Sequence, residues 1–171
     1  MIKKLPKQKT NIFDDQLEKI VVSCGIGKLR QANAQFGEKV LPEIIKEFGL
    51  ITGQKPSTTK AKKSISGFNV RQGEVVGLRA TLRRRRMEDF LERVINVVLP
   101  RVRDFRGLNL KSVDKNGNLN IGFKEQIVFP EINPETSRVN FGLQVTVVPK
   151  TRNREKAVDF YREKGLPLAS K

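Results

Sequence analysis

The side chains on which chemistry could be built are basic, and they cluster in one stretch. Gly53-Gln54-Lys55-Pro56-Ser57-Thr58-Thr59-Lys60-Ala61-Lys62-Lys63 opens it, a glycine-punctuated segment follows, and Leu82-Arg83-Arg84-Arg85-Arg86 closes it. It holds ten Lys or Arg and one acid, Glu74, so it carries +9, more than half of the chain's formal +16. Apolar residues are threaded through it at strand spacing and it runs into an amphipathic helix, which sets it apart from a disordered basic tail. A folded element with this much positive charge needs an anion to lie against. A polyphosphate backbone is the leading candidate, and an anionic membrane surface comes second.

What is missing narrows the chemistry further. The chain contains no histidine and one cysteine, Cys24. That removes the commonest general acid–base group, any Cys–His dyad, every Cys/His zinc pattern and any internal disulfide framework, and it fits a reducing compartment. Asp14-Asp15-Glu18 is the one acidic constellation, and nothing pairs with it to make a site. Gly25-Ile26-Gly27-Lys28 lacks the G-x-x-x-x-G-K-[ST] spacing of a phosphate loop and reads as a strand end where only glycine fits close to a neighbour. No enzyme, cofactor or metal site is expected. Nor is a membrane segment, because no apolar run approaches the ~18–20 residues of a span. Met1–Pro6 is basic but lacks the apolar segment of a signal peptide.

Positioning these residues falls to a single domain of ordinary size, expected over 16–171 behind a basic N-terminal arm over 1–15. Lys19 to Cys24 alternates as a strand, with Ile20, Val22 and Cys24 on one face and Val21 and Ser23 on the other. Phe36, Val40, Leu41, Ile44, Ile45 and Phe48 recur at helical spacing; Pro42 should kink that helix or mark a late start, and Gly49 or Gly53 should stop it. Pro56 to Thr59 suggests a short strand. The segment from Ser64 to Gly73 suggests a long, partly mobile loop in which Phe68 is either an anchor or a nucleic-acid contact.

Val76 to Arg83 alternates cleanly. Val76, Leu78, Ala80 and Leu82 face one way, and Gly77, Arg79, Thr81 and Arg83 the other. The second face suits RNA shape and phosphates. Met87, Phe90, Leu91, Val94, Ile95 and Val98 give the strongest helical period, with Asp89 and Arg93 expected as an i,i+4 pair, Pro100 as its end or bend, and Asp104 as a possible partner for nearby arginines. Leu119–Lys124, Gln126–Phe129 and Leu143–Val148 are further strand candidates, and Arg154 to Lys164 a last helix stopped by Gly165. Together these predict an α+β fold: a mainly antiparallel sheet with helices packed on one face and a protruding loop.

The blocks Leu50-Ile51-Thr52-Gly53-Gln54-Lys55-Pro56, Lys60–Phe68, Arg71-Gln72-Gly73, Gly77-Leu78-Arg79, Thr81-Leu82-Arg83, Leu99–Leu108, Gly117-Asn118, Gly122–Gln126 and Phe129–Ile132 resemble, in order and spacing, the bacterial-type large-subunit ribosomal protein L-five family. The resemblance covers the chain from about Gln16 onward. It implies a structural protein of the central protuberance that binds 5S rRNA, beside large-subunit rRNA and neighbouring protuberance proteins, on a cytoplasmic or organellar ribosome. It further implies a loop that approaches P-site tRNA and a surface that meets a protein of the small-subunit head.

Carried over by position, the rRNA-binding group is Ser23, Gly25, Gln54, Lys55, Thr58, Lys60, Lys62, Lys63, Arg79, Thr81 and Arg83. The tRNA-facing loop is Ser66, Gly67, Phe68, Asn69, Val70, Arg71, Gln72 and Gly73, within 66–74. The intersubunit bridge is Asp114, Lys115, Asn116, Gly117, Glu131 and Arg138. The family usually carries asparagine where this chain has Ser23, whose hydroxyl is shorter and forms fewer hydrogen bonds than a carboxamide.

Overall fold

Alternation along the first strand decides the architecture. In the computed structural model, which describes residues 16–33 and 35–169, β1 (Leu17–Gly25) buries Ile20, Val22 and Cys24 and turns Val21, Ser23 and Gly25 the other way. The arm expected over 1–15, with Asp14 and Asp15, lies outside the described residues. β1 pairs antiparallel with β3 (Val75–Leu82) on one edge and with β5 (Leu143–Pro149) on the other. β2 (Ser57–Lys60) and β4 (Leu119–Phe123) complete an antiparallel sheet of order β2-β3-β1-β5-β4.

One face of this sheet is sealed. Leu78, Ala80 and Leu82 join Ile20, Val22 and Cys24, and Leu119, Ile121, Leu143, Val145 and Val147 extend the layer across β4 and β5. Helices α2 (Leu41–Thr52) and α3 (Arg85–Arg93) complete the core with Ile44, Phe48 and Ile51 and with Met87, Phe90 and Leu91. Each such side chain contributes about 1.5–3 kcal/mol by leaving water. Cys24 behaves as a small buried hydrophobe, its thiol pKa pushed up to about 12 by burial.

Both helix prolines sit behind a wider turn. A π-helical turn, Phe36–Val40, precedes α2, and Pro42 falls in the first turn of α2, the expected late start. A second, Val94–Val98, continues α3 into α4 (Leu99–Arg101), where Pro100 stands at the start of the last turn. In each case the i→i+4 ladder that proline breaks is already interrupted. Gly53 (φ 68°), not Gly49, ends α2. α5 (Arg154–Glu163) starts on Asn153, whose side chain accepts the Glu155 and Lys156 amides.

Four expectations need correction. α1 (Gly27–Ala32) is a helix where only a strand end was expected; it buries no residue, so it has no apolar period to betray it. Gln126–Val128 is a 3-10 turn, not a strand, because Gln126 turns inward as a polar clamp: Phe141 N–H donates to its Oε1 (3.0 Å), and its Nε2 donates to Ser137 Oγ (3.1 Å), Glu47 Oε2 (3.3 Å) and Val139 O. Asp89 and Arg93 do not pair. Asp89 faces Arg85 (3.8 Å), while Arg93 turns under the sheet-covering layer to Glu131 (2.7 Å) and Ile51 O (3.0 Å). Asp104 makes no ion pair among the described residues and sits in a turn at φ 56°.

The Gln126 clamp generates a test. Gln126→Leu keeps the volume but leaves the buried Phe141 N–H unpaired, which should lower unfolding free energy by about 1–3 kcal/mol. Urea titration measures it; a loss below about 0.5 kcal/mol would mean that apolar packing alone holds the 126–141 segment.

Candidate nucleic-acid interface

The second face of the sheet carries the side chains that the period of two turns away from the core. The register lines up Thr81, Val21, Thr146 and Asn120 in one row, and Ser57, Arg79, Ser23, Gln144 and Gly122 in the next. Thr59, Gly77 and Gly25 continue the row at the β2 side. Arg79, Thr81, Ser57, Gln144, Gly25 and Gly122 are exposed, Ser23 is half-buried, and no aromatic side chain belongs to these rows. Gly77 is needed here, since a Cβ would stand 3.0 Å from the Cys24 carbonyl. The result is a flat, polar, partly cationic platform.

Most of the expected rRNA group lies on or beside it. Ser23, Gly25, Arg79 and Thr81 are on the platform, and Lys55, Lys60, Lys62 and Lys63 are exposed along its β2 edge. Gln54 reaches over that edge, its Nε2 donating to Thr81 O (3.2 Å). Thr58 is the exception: it is registered with Leu78 and so belongs to the opposite face. Ser57 and Thr59, one residue to either side, are the platform members that sequence reading passed over; the alternation of so short a strand had no apolar residue to set its phase. The Arg79 side chain makes no hydrogen bond or ion pair among the described residues. Arg83 is already engaged, with its Nη1 3.9 Å from Glu18 Oε1 and donating to Glu18 O (3.3 Å).

Residues 66–74 form a built projection. The β2–β3 ladder continues through Gly73 N–H to Ala61 O (2.9 Å) and Ala61 N–H to Glu74 O (2.8 Å), and Ile65 and Val70 exchange main-chain bonds at the neck. Ser66–Phe68 is a 3-10 turn closed by Asn69 at φ 47°, and Gly73 at φ 86° is the second left-handed position of the segment. α1 latches the tip: Arg30 and Gln31 donate to the carbonyls of Asn69 and Phe68, and Arg30 pairs with Glu74 (2.5 Å). Glu74 thus answers Arg30 rather than the Arg71 side chain. The Arg71 main-chain N–H (2.6 Å) is the largest cause holding the Glu74 carboxyl below its ordinary range, with Arg30 adding to it against partial burial. Phe68 is 67% exposed and Ile65 50%, so Phe68 is no core anchor. With Ala61, Val70 and Val76 they line an apolar dish of ≈ 490 Å³ rimmed by Lys62 and Lys63.

The six expected bridge residues divide. Asp114–Gly117 precedes β4 and Glu131 and Arg138 follow it, so the two groups stand at opposite ends of that strand. Asp114 is consumed locally: it accepts from Asn116 N–H (2.8 Å), Asn118 N–H (2.9 Å) and Asn118 Nδ2 (2.8 Å). Partial burial alone would raise its pKa, but these bonds hold the carboxyl below its ordinary range. Gly117 is buried at φ 82° and accepts Tyr161 OH (2.8 Å), while Glu131 is taken by Arg93. Lys115, Asn116 and Arg138 are exposed. Among the described residues no group of acidic or cysteine side chains has the arrangement of a metal site, and no helix is long and apolar enough to cross a membrane.

Comparison with known proteins gives this platform its context. The profile described as Ribosomal protein L5 matches residues 16–71, and that of the ribosomal L5P family C-terminus matches residues 75–168. The chain is 45% identical over 154 residues to the large ribosomal subunit protein uL5 of Limosilactobacillus fermentum, covering 90% of this chain and 83% of that one. It is 45% identical over 153 residues to uL5 of Geotalea uraniireducens, with the same coverage. To the uL5c protein of the alga Gracilaria tenuistipitata it is 43% identical over 153 residues, again covering 90% and 83%. With the two profiles adjoining and relatives matched across most of both chains, the chain belongs to the uL5 family of ribosomal proteins.

Proposed function

We propose that this chain works as a large-subunit ribosomal protein that holds 5S rRNA on the open face of its sheet, with residues 66–74 as an arm toward P-site tRNA. Members of the family are structural proteins, and no catalytic step is assigned. The observation that carries the reading is the register row Ser57, Arg79, Ser23, Gln144: small hydroxyls and amides flank a guanidinium without an internal partner, on a face the helices leave uncovered. Such a surface takes a sugar–phosphate backbone without inserting between bases. Lys55, Lys60, Lys62 and Lys63 extend the charge along the edge. Lys115, Asn116 and Arg138 are the bridge residues with side chains available to a small-subunit protein, and they would touch it at two separate points.

Salt-titrated binding to 5S rRNA against an unrelated duplex of equal length tests the reading. A clear preference for 5S rRNA is expected; equal affinity would reduce the platform to a generic basic surface.

Two more outcomes follow from the geometry. Arg79→Gln should flatten the slope of log K against log salt by about 0.7–0.9 for each phosphate that the guanidinium neutralises in the parent. Arg83→Gln should flatten it less, because Glu18 already offsets that charge. Equal slopes for Arg79→Gln and the parent would mean Arg79 touches no phosphate.

The arm should depend on its latch. Arg30→Ala with Gln31→Ala should speed amide exchange at 65–70 by on the order of tenfold while leaving 5S rRNA binding within about twofold. Glu74 is a carboxyl with a lowered folded pKa, so its contribution is complete above the ordinary value of 4.5 and is lost as pH falls through the lowered value. Protection of 65–70, corrected for intrinsic exchange, should therefore decline below pH 4.5 in the parent and less so in the Arg30 variant. Loss of 5S rRNA binding in the latch variant would make the arm part of the RNA platform.

A further inference from the structure

The platform is chemically two-sided. β4 and β5 together contain no charged residue, whereas β3 carries Arg79, and Lys19 of β1 and Arg83 just beyond β3 share Glu18 as their partner. On the uncharged half, three side chains form a closed network: Thr146 Oγ1 donates to Asn120 Oδ1 (2.8 Å), and Gln144 Nε2 donates to the same oxygen (3.3 Å). Two donors fill the two lone pairs of that amide oxygen. Left over are the Asn120 Nδ2 donor and the Gln144 Oε1 acceptor, neither bonded among the described residues. Around them lie Val21, half-buried and flat, and Gly25 and Gly122, above which a Cβ would meet nothing within 4 Å.

A phosphate oxygen offers only acceptors, so Gln144 Oε1 has no use for it. A ribose 2′-hydroxyl both donates and accepts, which is the complement of that pair. From β4 to β3 there are three strand spacings, roughly 14 Å, enough for one strand's phosphates to lie over Arg79 while the wide, shallow minor groove of an A-form helix lies over β4 and β5. We infer that Asn120, Gln144 and Thr146 form a ribose-reading subsite that makes the platform select RNA over DNA, while Arg79 and its neighbours supply affinity. This rests on 5S rRNA being the ligand of the sheet.

The test uses the full chain and two 5S rRNA transcripts, one all-ribo and one with 2′-deoxy pyrimidines. The parent should bind the deoxy transcript about tenfold more weakly, for want of two or three neutral hydrogen bonds. Asn120→Ala with Gln144→Ala should lose about as much on the all-ribo transcript, lose little more on the deoxy one, and keep the parent's salt slope. Thr146→Val, nearly isosteric, unties the network and should cut the ribo/deoxy ratio about threefold in a fold that circular dichroism shows intact. Arg79→Gln should keep the ratio and change the slope. A double variant that discriminates as the parent does overturns the subsite while leaving the platform standing. A parent that shows no preference for 5S rRNA over an unrelated duplex overturns both.

Discussion

Everything in this molecule depends on β1 being hydrogen-bonded along both edges, with a period of two that runs from Lys19 to Gly25 past a bulge between Leu17 and Lys19. Pairing to β3 and to β5 fixes which of its residues meet the helices and which meet solvent. A slip of β1 by one residue would bring Val21 and Ser23 into the apolar layer and expose Val22 and Cys24, while the strands on either side kept their faces. The close approach of Gly77 to the Cys24 carbonyl helps lock that register, because any side chain at Gly77 would have to push the strands apart. The apolar layer and the polar platform are thus one decision seen from two sides.

The projecting segments are governed differently. The 66–74 projection buries no side chain and is held by Arg30 and Gln31 donating to the 68–69 carbonyls. The same kind of bond, there beside buried apolar residues, ties Gln126 to the 139–141 approach and Arg154 to the carbonyls of Val113 (3.2 Å) and Leu110 (2.9 Å). Bonds of this kind set direction well and add modest stability. The molecule thus divides into a sheet fixed by its apolar layer and a projection whose direction is set by polar contacts.

Sequence periodicity disclosed the apolar elements and little else. β1, β3, β5, α3 and α5 each carry a buried stripe, so their spacing announced them, and Arg79 and Thr81 on the platform followed from the same alternation. α1 carries no buried residue and was invisible. β2 is exposed on both faces, so nothing in its sequence sets its phase or separates Thr58 from Ser57 and Thr59. The Gln126 clamp reads as a strand because its neighbours Ile127 to Phe129 are β-prone, while the partners that turn it inward lie at Glu47, Ser137, Val139 and Phe141. Partners distant in sequence leave no local trace, and that is why Arg93 was paired with Asp89 beside it rather than with Glu131.

The strand order has a consequence for the making of the chain. β1 leaves the peptide tunnel well before β5, the strand that closes its second edge and ends at Pro149. For more than a hundred residues of synthesis, the central strand can be flanked on one side only. Its other edge then offers unpaired amides and carbonyls beside the most basic part of the chain. A nascent chain in that state is at risk from stray strand pairing and from any polyanion nearby. Closure over so long a separation leaves the chain in need of shelter until β5 has arrived.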